Sequence, residues 1–336
     1  MKKIKHIILF LLLLSTTSCN TIFEFPEGEG TDPTLVNLSL NTTISASSLA
    51  EFTDYSGVAS LARSDIDSYY LRTKIQIFAS GSLSTSVADT VIYTSLSEID
   101  NFELNTTFTL NSKEYTVAVW SDVVDNKNNE DLFFLSSNLA AILHSEPYTG
   151  AQDLKLCYAG SIDVDLTPYK DAWNITHKEQ IEIERPLAKY EIISNDLAEF
   201  ISEQSKSKSA SSDVFEQYTI KLNYESYVLY GYNTFTDVPN NSQSGISFTA
   251  NLEILSDSEA LLSFDHVLVN HSQTTVYVGM DVYNENGELV TQVSSISIPL
   301  LRNQKTTITG DFLTRDYAPG VTIDPEFDGN FNIYID

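Results

Sequence analysis

IEIERPLAKYEIISND, residues 181–196, is the stretch that decides how the chain is organised. Ile181 and Ile183 alternate with glutamates, which is the period-two pattern of a strand with one buried face. Pro186 then interrupts the hydrogen-bond ladder because it has no N–H to donate. A second apolar strand follows immediately from Leu187, so no flexible linker fits here. The chain therefore divides at this point into two β halves with a stiff connection.

Two basic residues, Arg185 and Lys189, lie in this connection. Charged side chains in proteins are usually solvated and contribute little to stability. We therefore expect both to be ordinary surface charges at a domain junction.

A length of 336 residues is typical of two domains, each large enough to bury its own core. Tyrosine and phenylalanine are abundant, at 18 and 17 residues, and the apolar runs are short, which favours strands over helices. The sequence predicts an all-β fold of two tandem β-sandwich domains with minor short helices. The predicted domains are residues 34–184 and 185–336.

Alternating apolar residues separated by turn-forming residues place the individual elements. Strands are predicted at 34–44, 69–78, 87–93, 101–110 and 115–120 in the first half, and at 218–224, 227–232, 247–254, 260–268, 276–282 and 331–335 in the second.

Four features mark the breaks between these strands. One helical turn is predicted within 132–143, and a helix over 196–203. Asn286-Gly287 predicts a tight hairpin with positive φ at both central residues, and Pro299 is expected to end a strand.

The N-terminus has the organisation of an export signal. Three lysines precede a short apolar core at residues 7–14, which is too short to span a bilayer. Small residues then precede Cys19, as a lipoprotein signal peptidase requires. We predict a signal peptide at 1–18, diacylation of Cys19 and a flexible tether at 19–33. The alternative is an ordinary secretory signal followed by a coincidental cysteine.

Cysteine content and charge restrict the possible partners. If Cys19 carries lipid, Cys157 has no disulfide partner and is predicted to be a buried strand residue. Removal of the signal takes the formal net charge from −27 to −30, because it removes three lysines and no acidic residue. Nucleic acid and bare anionic membrane are therefore excluded as partners, whereas divalent cations, cationic partners and neutral glycans remain open.

Catalytic and metal motifs are weak in this sequence. It contains no nucleophile elbow, phosphate-binding glycine loop or metalloprotease histidine spacing. Asp324, Glu326 and Asp328 occupy alternating positions of a possible calcium loop, but Pro325 lies inside it and Ile335 stands where a closing glutamate belongs. We expect a turn there, no metal, and no cofactor apart from the lipid on Cys19.

Four blocks carry a resemblance to a known family: residues 115–122 (YTVAVWSD), residues 184–196 (ERPLAKYEIISND), the run from Tyr232 to SGISFT, and residues 310–333. In these the chain resembles a family of Bacteroidales outer-membrane lipoproteins that carries a domain of unknown function. That family is similar to anchor and accessory proteins of the fimbrillin superfamily.

The resemblance implies transthyretin-like sandwiches attached through lipid to the outer membrane at the cell surface, and no enzymatic activity. In polymerising fimbrillins an arginine protease cuts in the loop after the first strand. Arg63 lies in the corresponding loop, although LARS is a weak site. The resemblance therefore favours an anchor or accessory role over polymerisation.

Two functions follow as hypotheses. The first is a lipid-anchored component of a fimbria-like assembly in cell adhesion, with fimbrial subunits as partners. The alternative is a surface lipoprotein that binds a glycan or host ligand through the loop aromatics Tyr148, Tyr169 and Trp173.

Overall fold

The computed structural model describes residues 34–48, 68–97, 102–125, 130–205, 217–315 and 331–335. Within these ranges almost all regular structure is strand, which confirms the predicted all-β fold. Among the described residues, no helix is both long and apolar enough to span a lipid bilayer.

The N-terminal half contributes nine strands from the described ranges. They are β1 (Leu35–Ile44), β2 (Tyr69–Ala79), β3 (Ala88–Ser95), β4 (Glu103–Asn111), β5 (Glu114–Asp125), β6 (Phe134–Leu135), β7 (Ile142–His144), β8 (Cys157–Asp165) and β9 (Thr176–Ile183). Sheet A has the order β4-β1-β9, and sheet B has the order β3-β2-β5-β8. In sheet A, β1 pairs antiparallel with β4 and parallel with β9.

The C-terminal half contains the helix α1 (Leu197–Ser205) and the remaining described strands. They are β10 (Leu187–Ser194), β11 (Thr219–Tyr224), β12 (Val228–Asn233), β13 (Val238–Gln243), β14 (Ser247–Asn251), β15 (Glu253–Ile254), β16 (Ala260–Leu268), β17 (Thr274–Tyr283), β18 (Leu289–Leu300), β19 (Lys305–Gly310) and β20 (Phe331–Ile335). Sheet C has the order β15-β16-β10-β19-β20, and sheet D has the order β14-β11-β17-β18.

Two apolar clusters form the interior. The first lies between sheets A and B, and the second lies between sheets C and D and is also covered by α1. The change from one cluster to the other falls between Leu187 and Ala188, directly after the Pro186 break. The strand, break and strand predicted from residues 181–196 are therefore confirmed.

A fifth sheet, which we call the shared sheet, contains strands from both halves. Its order is β13-β12-β7-β6, and Ile142 of β7 pairs with Tyr232 of β12. Gly231 allows this approach, since a Cβ there would lie 2.9 Å from the Ile142 carbonyl oxygen. Tyr232 is fully buried in the first cluster, where its ring lies 5.9 Å from that of Trp120. Because the halves share a sheet, their independent folding as 34–184 and 185–336 stays a prediction.

Three local predictions were wrong in detail. The helical turn expected within 132–143 is instead the short hairpin of β6 and β7, because pairing with β12 overrides local preference. Pro299 does not end its strand: β18 is an edge strand, where a missing N–H is tolerated, and it continues to Leu300. The β17–β18 hairpin forms as predicted, but only Gly287 has positive φ, at 76°, and Asn286 does not.

A buried polar network centred on Asp265 connects the two halves. Lys155, from the N-terminal half, donates from Nζ to Asp265 Oδ1 at 3.0 Å. The hydroxyls of Tyr148 and Tyr224 donate to Asp265 Oδ2 at 2.6 and 2.7 Å. Burial lowers the pKa of Lys155, which Asp265 partly offsets. Because Lys155 and Asp265 are at most 1% exposed, neither charge has water to replace its partner.

A second polar cluster lies at the proline junction itself. Arg185 is 1% exposed, and its guanidinium donates to the Ser48 carbonyl oxygen at 2.9 Å. Arg302 donates from Nε to the Arg185 carbonyl oxygen at 3.1 Å and forms a two-point ion pair with Asp237. Lys189 is 5% exposed. The expectation that Arg185 and Lys189 are solvated surface charges is therefore wrong, because the packing of the two halves encloses the junction.

The buried ion pair predicts a large effect of removing one partner. Lys155→Met should lower the free energy of unfolding by roughly 3–5 kcal/mol, because it leaves the Asp265 carboxylate buried without a positive charge. Urea unfolding measures this change. Lys221→Met, at an exposed position of β11, is the matched control and should change stability little.

The double variant Lys155→Met/Asp265→Asn should be less destabilised than the sum of its single variants, because it removes both charges together. Equal unfolding midpoints for Lys155→Met and Lys221→Met would contradict the role given to this pair.

Candidate functional site

The loop before β9 presents the most exposed tryptophan among the described residues. It begins with a single 3-10 turn, Thr167–Tyr169, and ends at Asn174. Asp171 and Asn174 have φ of 62° and 57°, a left-handed conformation that Asp and Asn tolerate better than most residues. Between them Trp173 is 89% exposed. The loop is thus shaped to hold an indole ring in solvent.

Two hydrogen bonds connect this loop and the residue that follows it to the start of β1. The Asp171 amide donates to Thr34 Oγ1 at 3.0 Å, and the Asn37 amide donates to the Ile175 carbonyl oxygen at 2.9 Å. A groove of about 580 Å³ lies between the loop and the strand. Its lining residues are Thr34, Leu35, Asn37, Asp171, Ala172, Trp173 and Asn174.

The outer surface of sheet A continues from this groove as an array of polar side chains. The strand register aligns one residue from each of β4, β1 and β9 in every row. From the groove outward the rows are Thr109, Asn37, Thr176; Thr107, Ser39, Lys178; Asn105, Asn41, Gln180; and Glu103, Thr43, Glu182. We call these twelve residues the polar face. All of them are exposed or half-exposed, whereas the residues between them on β1 are buried.

Hydrogen bonds across the strands order part of the polar face. Asn41 Nδ2 donates to Glu103 Oε1 at 2.6 Å and to Asn105 Oδ1 at 2.9 Å. Thr109 Oγ1 donates to Asn37 Oδ1 at 3.0 Å. These bonds hold side chains of neighbouring strands in fixed orientations while leaving other donors and acceptors facing solvent.

The three loop aromatics predicted to form one site are not brought together. The Tyr148 hydroxyl is bound to Asp265, and burial together with that carboxylate raises its pKa well above the ordinary value. Tyr169 packs against the first cluster and its hydroxyl contacts His177 Nδ1 at 2.8 Å. Only Trp173 presents its ring to solvent. Sequence reasoning missed the polar face because its residues look like ordinary outward-facing strand positions.

Tyr169, His177 and Glu179 form a short hydrogen-bonded chain beside the loop. His177 Nε2 lies 2.6 Å from Glu179 Oε1. Both residues lie on the inward side of β9, opposite the polar face, since they pair with Leu38 and Leu40 of β1. The chain has no serine, threonine or cysteine nucleophile among its members, and it ties Tyr169, at the start of the loop, to β9.

Three other candidate reactive groups are buried. Cys157 lies at the start of β8 and is fully buried, as predicted, and burial raises the pKa of its thiol well above the ordinary value. His144 is enclosed by aromatic rings, with Phe134 and Tyr148 each 5.0 Å away. His266 is also fully buried and its Nδ1 lies 3.2 Å from the Gln152 carbonyl oxygen.

No group of three or more His, Cys, Asp or Glu residues suited to a metal ion occurs in the part of the chain that the structure describes. Three sequence predictions lie outside the described residues: lipidation of Cys19, processing at Arg63, and the weak calcium candidate Asp324, Glu326 and Asp328. They stay predictions.

Residues 30–335 match the family of unknown function DUF6562. The chain belongs to this family, which confirms the predicted membership of a family with a domain of unknown function. No curated protein matches the chain by sequence.

Several solved structures are similar to this chain. A candidate polysaccharide-binding protein (DUF1812) from Bacteroides thetaiotaomicron is 10% identical over 76% of this chain and 79% of its own, with a TM-score of 0.43. The fimbrial anchor protein Mfa2 from Porphyromonas gingivalis is 10% identical over 77% of this chain and 82% of its own, with a TM-score of 0.41. A candidate adhesin from Bacteroides ovatus is 11% identical over 94% of this chain and 91% of its own, with a TM-score of 0.42.

The buried histidines predict a loss of stability in mild acid. Burial, reinforced by nearby Lys and Arg charges, lowers the pKa of His144 and His266 well below 6.5. Below pH 6.5 the unfolded chain therefore takes up protons that the folded chain does not, and the free energy of unfolding falls. Each such histidine therefore adds to this fall as the pH drops below 6.5.

His266→Gln should reduce that fall by the contribution of one histidine, measured by urea unfolding at several pH values. The same pH dependence in His266→Gln and the wild type would contradict the assignment.

Proposed function

We propose that the protein is a lipid-anchored component of the outer membrane, exposed at the cell surface, which anchors or assists a fimbria-like assembly in cell adhesion. Two observations from the sequence support this proposal: the signal with Cys19 at its end, and the four blocks that resemble fimbrillin-type anchor and accessory proteins. We propose no enzymatic activity and no cofactor beyond the lipid.

The structural observation that best supports an anchoring role is the position of β1. This strand is the middle strand of sheet A and directly follows the segment that would lead to the lipid. Inter-strand hydrogen bonds run across the strand direction. A pull on Cys19 directed along β1 therefore loads the bonds to β4 and β9 together instead of one at a time.

Apolar burial strengthens the same attachment. Val36, Leu38 and Leu40 of β1 are fully buried between sheets A and B. Removing each of them from the interior costs roughly 1.5–3 kcal/mol. Release of β1 would thus expose an apolar groove, which suits a subunit that polymerises by strand exchange and not an anchor that must keep its lipid.

The proposed partners follow from charge and location. The lipid on Cys19 would insert into the outer membrane, and fimbrial subunits would be the protein partners. Nucleic acid is not among them, because a formal net charge of −27, or −30 after signal removal, repels phosphates.

Lipidation of Cys19 is tested by metabolic labelling with a palmitate analogue. The wild type should be labelled and recovered with outer membranes, and Cys19→Ala should lose both properties. Cys157→Ala is a matched control because it removes the other cysteine, which is buried. Its labelling should equal that of the wild type. Labelling of Cys19→Ala would remove the lipoprotein assignment.

Anchoring and polymerisation are separated by the mass of the native chain. Protein extracted from membranes should retain residues 19–336 in one polypeptide, because cleavage after Arg63 would free Cys19 and β1 from the rest. Intact-mass measurement decides this. A major species beginning at Ser64 would contradict the anchor role and indicate a fimbrial subunit.

A further inference from the structure

We propose that the polar face of sheet A, with Trp173 at one end, is a binding site for an extended neutral polysaccharide. This site goes beyond the anchoring role and does not depend on the lipid. It rests on the chemistry of the face, its geometry and the exposure of one aromatic ring.

The chemistry of the face differs from that of the chain as a whole. Nine of its twelve side chains are neutral hydroxyl or amide groups, although the protein carries a formal net charge of −27. Two of the three charged residues, Glu103 and Glu182, lie together in the row farthest from Trp173. The rows nearest the indole hold only Lys178 as a charge. A face built this way suits a ligand that is polar and uncharged.

The geometry suits a ligand that is long and flat. Neighbouring strands lie about 4.8 Å apart, and residues on one side of a strand recur about every 7 Å. Four rows therefore extend about 20 Å along the strands, with three positions across. Hydroxyl and amide groups both donate and accept hydrogen bonds, as sugar hydroxyls do. A chain of sugars laid along β1 would meet a matching donor and acceptor group at each row.

Trp173 supplies the apolar part of the same recognition. Sugar rings have C–H faces that pack flat on an aromatic ring, and the indole is 89% exposed beside the first row. The backbone of the loop that carries this ring is tied to Thr34, so little backbone freedom is lost when a ligand binds. The groove between Trp173 and Leu35 gives the end of the polysaccharide a place to enter.

Other classes of partner fit this surface less well. A nucleic acid or anionic membrane would be repelled by the net charge. A protein partner would be expected to meet several apolar or arginine anchors near the centre of the face. The centre here holds Ser39, Asn41 and Thr107 instead.

Affinity electrophoresis of the full chain, purified in mild detergent, tests the proposal. The probes are the neutral polysaccharides xylan, mannan, mixed-linkage β-glucan and dextran, and the acidic polysaccharides alginate and hyaluronan. At least one neutral probe should retard the wild type, and neither acidic probe should do so. With the neutral probe that binds, Trp173→Ala and Thr107→Glu should each weaken retardation by roughly tenfold or more, the loss typical of a central contact.

Two matched variants control for general effects. Tyr227→Ala removes an exposed aromatic ring of the other half, and Thr249→Glu adds the same charge at an exposed position of the edge strand β14. Both should bind as the wild type does. The proposal is overturned if no neutral probe retards the wild type, if an acidic probe does so as strongly, or if Trp173→Ala or Thr107→Glu retains wild-type binding.

Discussion

The ion pair between Lys155 and Asp265 is the interaction on which the arrangement of the two halves depends. Its two charges come from opposite sides of the Pro186 break, and both are removed from water. Burying one charge without the other is far more costly than burying neither. The halves therefore have to meet in one orientation, in which the Tyr148 and Tyr224 hydroxyls also reach the carboxylate. The shared sheet and the Arg302–Asp237 pair lie along the same junction and reinforce that choice. Stiffness at the connection thus comes from buried polar contacts as well as from a proline.

Sheet A combines two roles on opposite surfaces of one small set of strands. Its inner surface supplies Val36, Leu38 and Leu40 to the first cluster, and its outer surface carries the polar face. Period-two alternation lets both surfaces be specified independently, since a change at Ser39 or Asn41 does not alter the core. Under the proposed anchoring role β1 stays in the fold, and such a base would keep the side chains of the proposed binding surface in register.

Sequence reasoning predicted most of the fold because alternation and turn residues are local signals. The strand 260–268 and the break at Pro186 are examples. Sequence reasoning was wrong where tertiary contacts determine the local structure. Residues 132–143 form a hairpin only because β12 offers an edge, and Pro299 is tolerated because β18 has no neighbour on that side among the described strands. Arg185 was expected in solvent because burial across a domain junction leaves no pattern in sequence.

For the site, Trp173 was identified among three aromatics, whereas the polar face required the register that aligns β4, β1 and β9.

The contact between the Asp171 amide and Thr34 places the Trp173 loop where the chain enters the fold. Thr34 is 15 residues from Cys19. Even fully extended, a segment of that length reaches only about 50 Å. With the proposed lipid on Cys19, Thr34 would stay within about that distance of the bilayer surface. A polysaccharide bound at the polar face would therefore be held close to the membrane surface.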